Sequence, residues 1–181
     1  MKKIIPLVLI FFICLGSCSE QQDFDQVRDL EVIPDLSGPI VYVETTEAII
    51  NTISPDTISQ SINFDGFASG VFSDRVISGS IQFQLQNSTS KDMDLIIDFL
   101  DSDNNSLDSV EIGVAPALPE RTINLEIPYG PPSGRNIDII RNTSSLQLRF
   151  INNSNNTSVS SLPDPKLIFR SSASFKLRLL E

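Results

Sequence analysis

The chain has 181 residues, 23 acidic against 13 basic side chains for a net charge of −10, no histidine, no tryptophan and two cysteines. The lack of histidine excludes Ser-His-Asp and Cys-His catalysis. With both cysteines at or before position 18, disulfides and His- or Cys-built zinc, copper and iron sites are also excluded from the body of the chain. The acidic balance argues against nucleic acid, whose binding rests on basic contacts to phosphate.

The first element is a leader. Met1-Lys2-Lys3 is basic, residues 4–15 are apolar apart from Pro6, and the small residues Gly16 and Ser17 precede Cys18. A bilayer-spanning helix needs ~20 apolar residues, so this shorter run fits the core of a secretory signal peptide. Leu15-Gly16-Ser17-Cys18 resembles a bacterial lipobox. That resemblance implies cleavage after Ser17, a diacylglyceryl thioether on Cys18 and acylation of the new N-terminus. Cys14 competes poorly because bulky Ile13 precedes it. Each buried CH₂ contributes ~0.8 kcal/mol, and two lipid signals already hold a protein stably on a membrane. Loss of Lys2 and Lys3 takes the net charge from −10 to −12.

Directly after the cysteine, Ser19, Glu20, Asp23 and Asp25 make a short acidic patch. It resembles the export signal of Bacteroidota surface lipoproteins. The resemblance implies an outer-membrane lipoprotein whose body faces the medium. The alternative is a solvated acidic tether on a protein facing the periplasm. The expected organisation is a cleaved segment 1–17, a lipidated tether 18–35 and one domain over 36–181.

The body reads mostly with period two. Weak strands are expected near Ile40–Glu44 and Ile58–Asp65, with two helical turns over Thr46–Ile53 capped by Thr45 or Thr46. Val76–Asn87 alternates, placing Ile77, Ile81, Phe83 and Leu85 on one face and Ser78, Ser80, Gln82, Gln84 and Gln86 on the other. Asp92–Leu100 follows with Met93, Leu95, Ile97 and Phe99 inward. A turn of Asp, Asn and Ser at 101–106 returns the chain through Val110–Val114. Ile123, Leu125 and Ile127 alternate with Thr122, Asn124 and Glu126, and Asn136–Asn142 predicts a short helix. Leu146, Leu148 and Phe150 mark the next strand; Leu167, Phe169, Ala173, Phe175, Leu177 and Leu179 mark a long last one, with no sorting domain expected beyond it. Seven or more short strands between Pro, Gly, Asn and Ser turns predict an all-β fold, a single antiparallel β-sandwich. In strand spacing it resembles immunoglobulin-like sandwiches, without their Trp and cysteine pair.

Candidate sites are few. Asp101, Asp103 and Asn105 are hard oxygen ligands of the kind calcium takes. Ser106 and Ile112 stand where an EF-hand needs Gly and Glu. A calcium turn is therefore weighed against a hairpin turn bonded to its own backbone, and the hairpin is the expectation. Ser88-Thr89-Ser90-Lys91 matches S-x-x-K by letter, but it lies in a polar turn and reads as chance. Glu111, Glu120 and Glu126 offer carboxylates for glycoside hydrolysis, with nothing to place two across a cleft. Arg149, Arg170, Lys176 and Arg178 share outward parity and would form a basic stripe for an anionic partner if their strands are neighbours. The stripe is weighed against pairing with the acidic outer face around Asp92, Asp94 and Asp98, and the pairing is the expectation. The loops 129–134 and 152–157 are expected as exposed tips.

These observations predict no catalytic residue, metal or cofactor. The expected function is a non-catalytic binding or accessory module, lipid-anchored at the cell surface, with a protein or glycan partner. The alternatives are a structural subunit of a secretion, motility or uptake assembly and, remotely, a carboxylate-only glycosidase.

Overall fold

In the computed structural model, residues 32–53 and 57–179 are described. The leader, Cys18 and the export residues Ser19, Glu20, Asp23 and Asp25 lie outside the described residues. The described elements, in chain order, are β1 (Asp35–Thr46), α1 (Glu47–Ile50), β2 (Thr57–Asn63), α2 (Asp65–Ala68), α3 (Gly70–Ser73), β3 (Val76–Asn87), β4 (Met93–Leu100), β5 (Ser106–Val114), β6 (Arg121–Tyr129), α4 (Ile137–Asn142), β7 (Ser145–Asn152) and β8 (Lys166–Leu177).

The strands make two antiparallel four-stranded sheets, ordered β1-β8-β3-β6 and β2-β7-β4-β5. The pairs β1·β8, β2·β7, β3·β6 and β4·β5 are nested. The chain thus runs out through β1 to β4, turns once, and returns alongside itself through β5 to β8. The β3·β8 and β4·β7 pairs then roll this long double ribbon into two layers. Of the consecutive strands, β4 and β5 share a sheet as a hairpin, and every other step crosses between sheets. The expected antiparallel sandwich is present, and its strand order is that of a jelly roll. Spacing along the chain, which suggested an immunoglobulin-like sandwich, does not carry that distinction.

The core lies where the alternation places it. Ile81, Phe83, Leu85, Leu167, Phe169 and Phe175 of one sheet are buried with Met93, Leu95, Ile97, Phe99, Leu146, Leu148 and Phe150 of the other. Phe150 meets Phe169 edge-on across the layers, centroids 6.3 Å apart. Three inward assignments change, among them Leu179, which lies past the end of β8 and is exposed. The β3·β8 register shifts between Val76 and Ser78, so Val76 is buried and Ile77 only half-buried. A bulge advances the side-chain parity by one residue. Ile123 is 39% exposed because β6 is an edge strand with a neighbour on one side only.

Thr46 caps α1 as expected, accepting from the Ile49 N–H, and Asn136, expected inside the short helix, instead caps α4 by accepting from the Asp138 N–H. The segment 64–75, with its two helical turns α2 and α3, is not foreseen in the alternation. Gly66, Gly70, Ser69 and Ser73 depress helix propensity there. The turns form because three phenylalanines close one side of the sandwich. Phe67 stacks on Phe72 at 5.2 Å and meets the edge of Phe175 at 5.4 Å. Pairing also begins before β1, since Val32 and Pro34 carbonyls accept from the Leu179 and Leu177 N–H groups.

Candidate binding face

The outer face of the β1-β8-β3-β6 sheet carries rows of side chains set by strand register. Tyr42 stands opposite Arg170, Arg170 opposite Gln84, and Gln84 opposite Asn124. Each sits at an outward position of its strand, as period two sets it, and the pairing of the four strands lines them up. Its members are joined. The Arg170 guanidinium lies 5.6 Å from the Tyr42 ring centroid, within cation–π range. Its Nη1 donates to Gln84 Oε1 at 2.9 Å, and Gln84 Nε2 donates to Asn124 Oδ1 at 3.0 Å. The next row holds Pro39, Ser172, Gln82 and Glu126. An open furrow of about 680 Å³ lies over both rows. It runs on toward Ser37, Ser80 and Ser174.

The border of this face is held by charge. Tyr42 Oη donates to Glu44 Oε2, and Lys166 Nζ bonds Glu44 Oε1 at 2.7 Å and Asp164 Oδ2 at 2.8 Å. The bond to Glu44 raises the Tyr42 phenol above its ordinary value. The bond from Lys166, then that from Tyr42, lowers the Glu44 carboxyl. Both groups keep their usual charge states near neutral pH. On the other flank Gln86 Nε2 donates to Glu120 Oε1 at 2.6 Å.

The proposed basic stripe is not assembled. Arg170 and Lys176 lie on this face, whereas Arg149 lies on β7 of the other sheet. There Arg149 Nη2 bonds Asp98 Oδ2 at 2.9 Å, the pairing that was expected. Arg149 is 40% exposed at its side chain, so the pair contributes about 0–1 kcal/mol. Arg178 follows β8, its N–H donating to the Arg75 carbonyl. Asp101 Oδ1 accepts from the N–H groups of Asp103 and Asn105 at 2.9 and 2.8 Å, the arrangement of a hydrogen-bonded turn. Among the described residues no group of three or more acidic, His or Cys side chains is placed to hold a metal ion.

A second polar cluster escapes notice in the sequence. Lys91 is fully buried, and its Nζ donates to Asn155 O, Ser158 O and Ser158 Oγ at 2.6, 2.9 and 2.7 Å. Ser158 Oγ lies 2.9 Å from Ser90 Oγ, which donates to Glu47 Oε1 at 2.6 Å. The Ser90 and Ser160 N–H groups also donate to Glu47. An ammonium has three donors, and all three are used here. A lysine acting as base must offer a lone pair instead, so this cluster is a buried brace. Ser88, the serine of the S-x-x-K letters, bonds Lys166 at 2.7 and 3.1 Å instead.

The sequence marks Gln82, Gln84 and Gln86 as one polar face but does not single out Tyr42 or Asn124. The detectable signal is a solvent face built of neutral amides where charges are commoner. The row itself needs β1, β8, β3 and β6 side by side, and their order is a tertiary fact.

No family model and no curated protein matches the chain. Among solved structures the chain is similar to the infectious bursal disease virus VP2 subviral particle, at 16% identity over 84% of this chain and 33% of that one, TM-score 0.35. It is similar to Desmodium yellow mottle tymovirus at 9% identity over 83% and 91% of the two chains, TM-score 0.34. It is also similar to the enzymatically active domain of bacteriophage CBA120 tailspike protein 4, at 12% identity over 87% and 21%, TM-score 0.38. The chain spans about a third of the length of the VP2 chain. No activity or partner passes from these proteins to this one.

Proposed function

We propose that this chain is an outer-membrane lipoprotein, anchored through Cys18, whose sandwich serves as a non-catalytic binding module at the cell surface. The observation that carries the reading is the joined row Tyr42–Arg170–Gln84–Asn124 over an open furrow. Binding groups on a rigid sheet are positioned more precisely than groups on loops. The partner is a protein or a glycan rather than nucleic acid, given the acidic chain. The lipobox and acidic patch support the address, and the lipid chains account for permanent anchoring without a spanning helix.

The test is protease treatment of intact cells carrying the full chain, beside a variant with Glu20, Asp23 and Asp25 all changed to Ala. The expected outcome is digestion of the wild type and protection of the variant. Protection of both, with digestion only after lysis, sinks the surface address. Cys18→Ala is expected to leave the membrane fraction; its retention there sinks the lipid anchor.

A further inference from the structure

We infer that the occupant of the β1-β8-β3-β6 face is a neutral, extended polysaccharide lying across the strands, an assignment that rests on the binding-module reading above. Charge decides first. Arg170 and Glu126 are the charged residues of the furrow, and Arg170 is already engaged by Gln84 and by the Tyr42 ring. An anionic chain crossing the face would meet Glu126 in the furrow and Glu44 and Glu120 at its borders. A cationic chain would meet Arg170. A neutral chain meets neither penalty.

Hydrogen-bonding capacity decides next. A side-chain amide offers two lone pairs and two N–H donors in one plane, which suits neighbouring hydroxyls that both donate and accept. Gln82 is exposed and makes no side-chain hydrogen bond among the described residues. Asn124 accepts from Gln84 and keeps its own NH₂ for a ligand. Ser172 and Ser174 add hydroxyls on the adjoining rows. Tyr42 supplies the apolar counterpart. The residue is 59% exposed, yet it is held by Glu44 at the hydroxyl and by Arg170 at the ring. An aromatic ring with a polar tip suits the C–H face of a sugar.

Geometry agrees. Neighbouring strands are ~4.8 Å apart, close to the rise of one pyranose unit in an extended chain. The four strands, ~15 Å across, would seat about three or four units between Tyr42 and Asn124. A protein partner fits less well. Protein interfaces centre on a fully buried apolar and aromatic core, whereas Pro39 and Tyr42 are the apolar members of these two rows.

The experiment uses the full chain in detergent, run in native gels containing galactomannan, arabinoxylan or mixed-linkage β-glucan, with polygalacturonate as the anionic comparison. At least one neutral polysaccharide is expected to retard the wild type and Tyr42→Phe. Tyr42→Ala and the double variant Gln84→Ala, Asn124→Ala are expected to weaken binding roughly tenfold or more. All substitutions are on the exposed face, and an unchanged Tm shows that folding is intact. Retardation by polygalacturonate alone overturns the neutral assignment. Retardation by a neutral chain that these variants leave unchanged overturns the site. No retardation by any of the four overturns the polysaccharide. A photocrosslinker replacing Gln82 in intact cells then separates the two readings. A protein adduct keeps the binding face while removing the glycan, and no adduct removes both.

Discussion

Lys91 and Glu47 show how much one buried side chain can decide. Their charges are linked through Ser158 and Ser90, so that the β3–β4 turn, α1 and the 155–160 loop are tied at one end of the sandwich. Lys91→Met is expected to lower unfolding free energy by about 1–3 kcal/mol, because it leaves the Asn155 and Ser158 carbonyls without their donor. Glu47→Gln keeps the size and is expected to cost about 1–3 kcal/mol. Urea midpoints measure both, and a loss below about 0.5 kcal/mol in each would show the cluster to be incidental. Burial raises the Glu47 carboxyl, but the Ser90 hydroxyl, the Ser160 and Ser90 N–H groups and the Lys91 charge outweigh it and hold it below its ordinary value. The stability it contributes is therefore full above the unfolded value of about 4.3 and is lost as pH falls through the lower folded one. Wild-type stability is expected to fall below about pH 4.3 more steeply than that of Glu47→Gln, as read by urea midpoints across that range. An identical fall in both places the acid sensitivity elsewhere. None of this is visible in the letters STSK, because Glu47 and Ser158 are far from Lys91 along the chain.

Among the elements, β3 makes a close backbone approach to β8. It passes β8 so closely at Gly79 that an added Cβ would lie 2.3 Å from both Phe175 Cδ1 and the Ser174 carbonyl oxygen, and 2.8 Å from Phe175 Cα. The backbone there cannot step aside as a flexible side-chain tip would. Gly79→Ala is expected to cost about 1–3 kcal/mol through overpacking. Phe67→Ala, which opens the cluster with Phe64, Phe72 and Phe175, is expected to cost about 3–5 kcal/mol. Thermal unfolding of the two variants measures both losses. An unchanged Tm for Phe67→Ala would mean that segment 64–75 contributes no closure. The alternation assigned Phe64 to a strand over Ile58–Asp65, whereas it stands just before α2. What hid the segment was its glycines and serines, which prevail locally and lose only when Phe175 arrives from the far end of the chain.

Taken whole, the nested pairing makes most contacts non-local, since β1 pairs with β8 and β2 with β7. Such topologies fold slowly, in milliseconds to seconds, because long loops close before contacts repay them. They are also cooperative, as neither sheet closes without the other. Tyr129, buried on β6, packs 6.1 Å from Phe99 of β4 in the opposite layer. In a Tyr42→Phe background its emission reports the interlayer core. Its urea transition is expected to superimpose on that of far-UV circular dichroism. Separate midpoints would show the layers coming apart independently.

The alternation of apolar and polar residues identified β3, β4, β5 and β7 and their inward sides, because period two belongs to each strand alone. The all-β class and the absence of histidine chemistry follow from the same letters. Strand order, the dissolution of the Arg149–Arg170 stripe and the assembly of the Tyr42–Asn124 row were decided only when the chain rolled up. Which strand lies beside which depends on the closure of the double ribbon, and no local pattern records that closure.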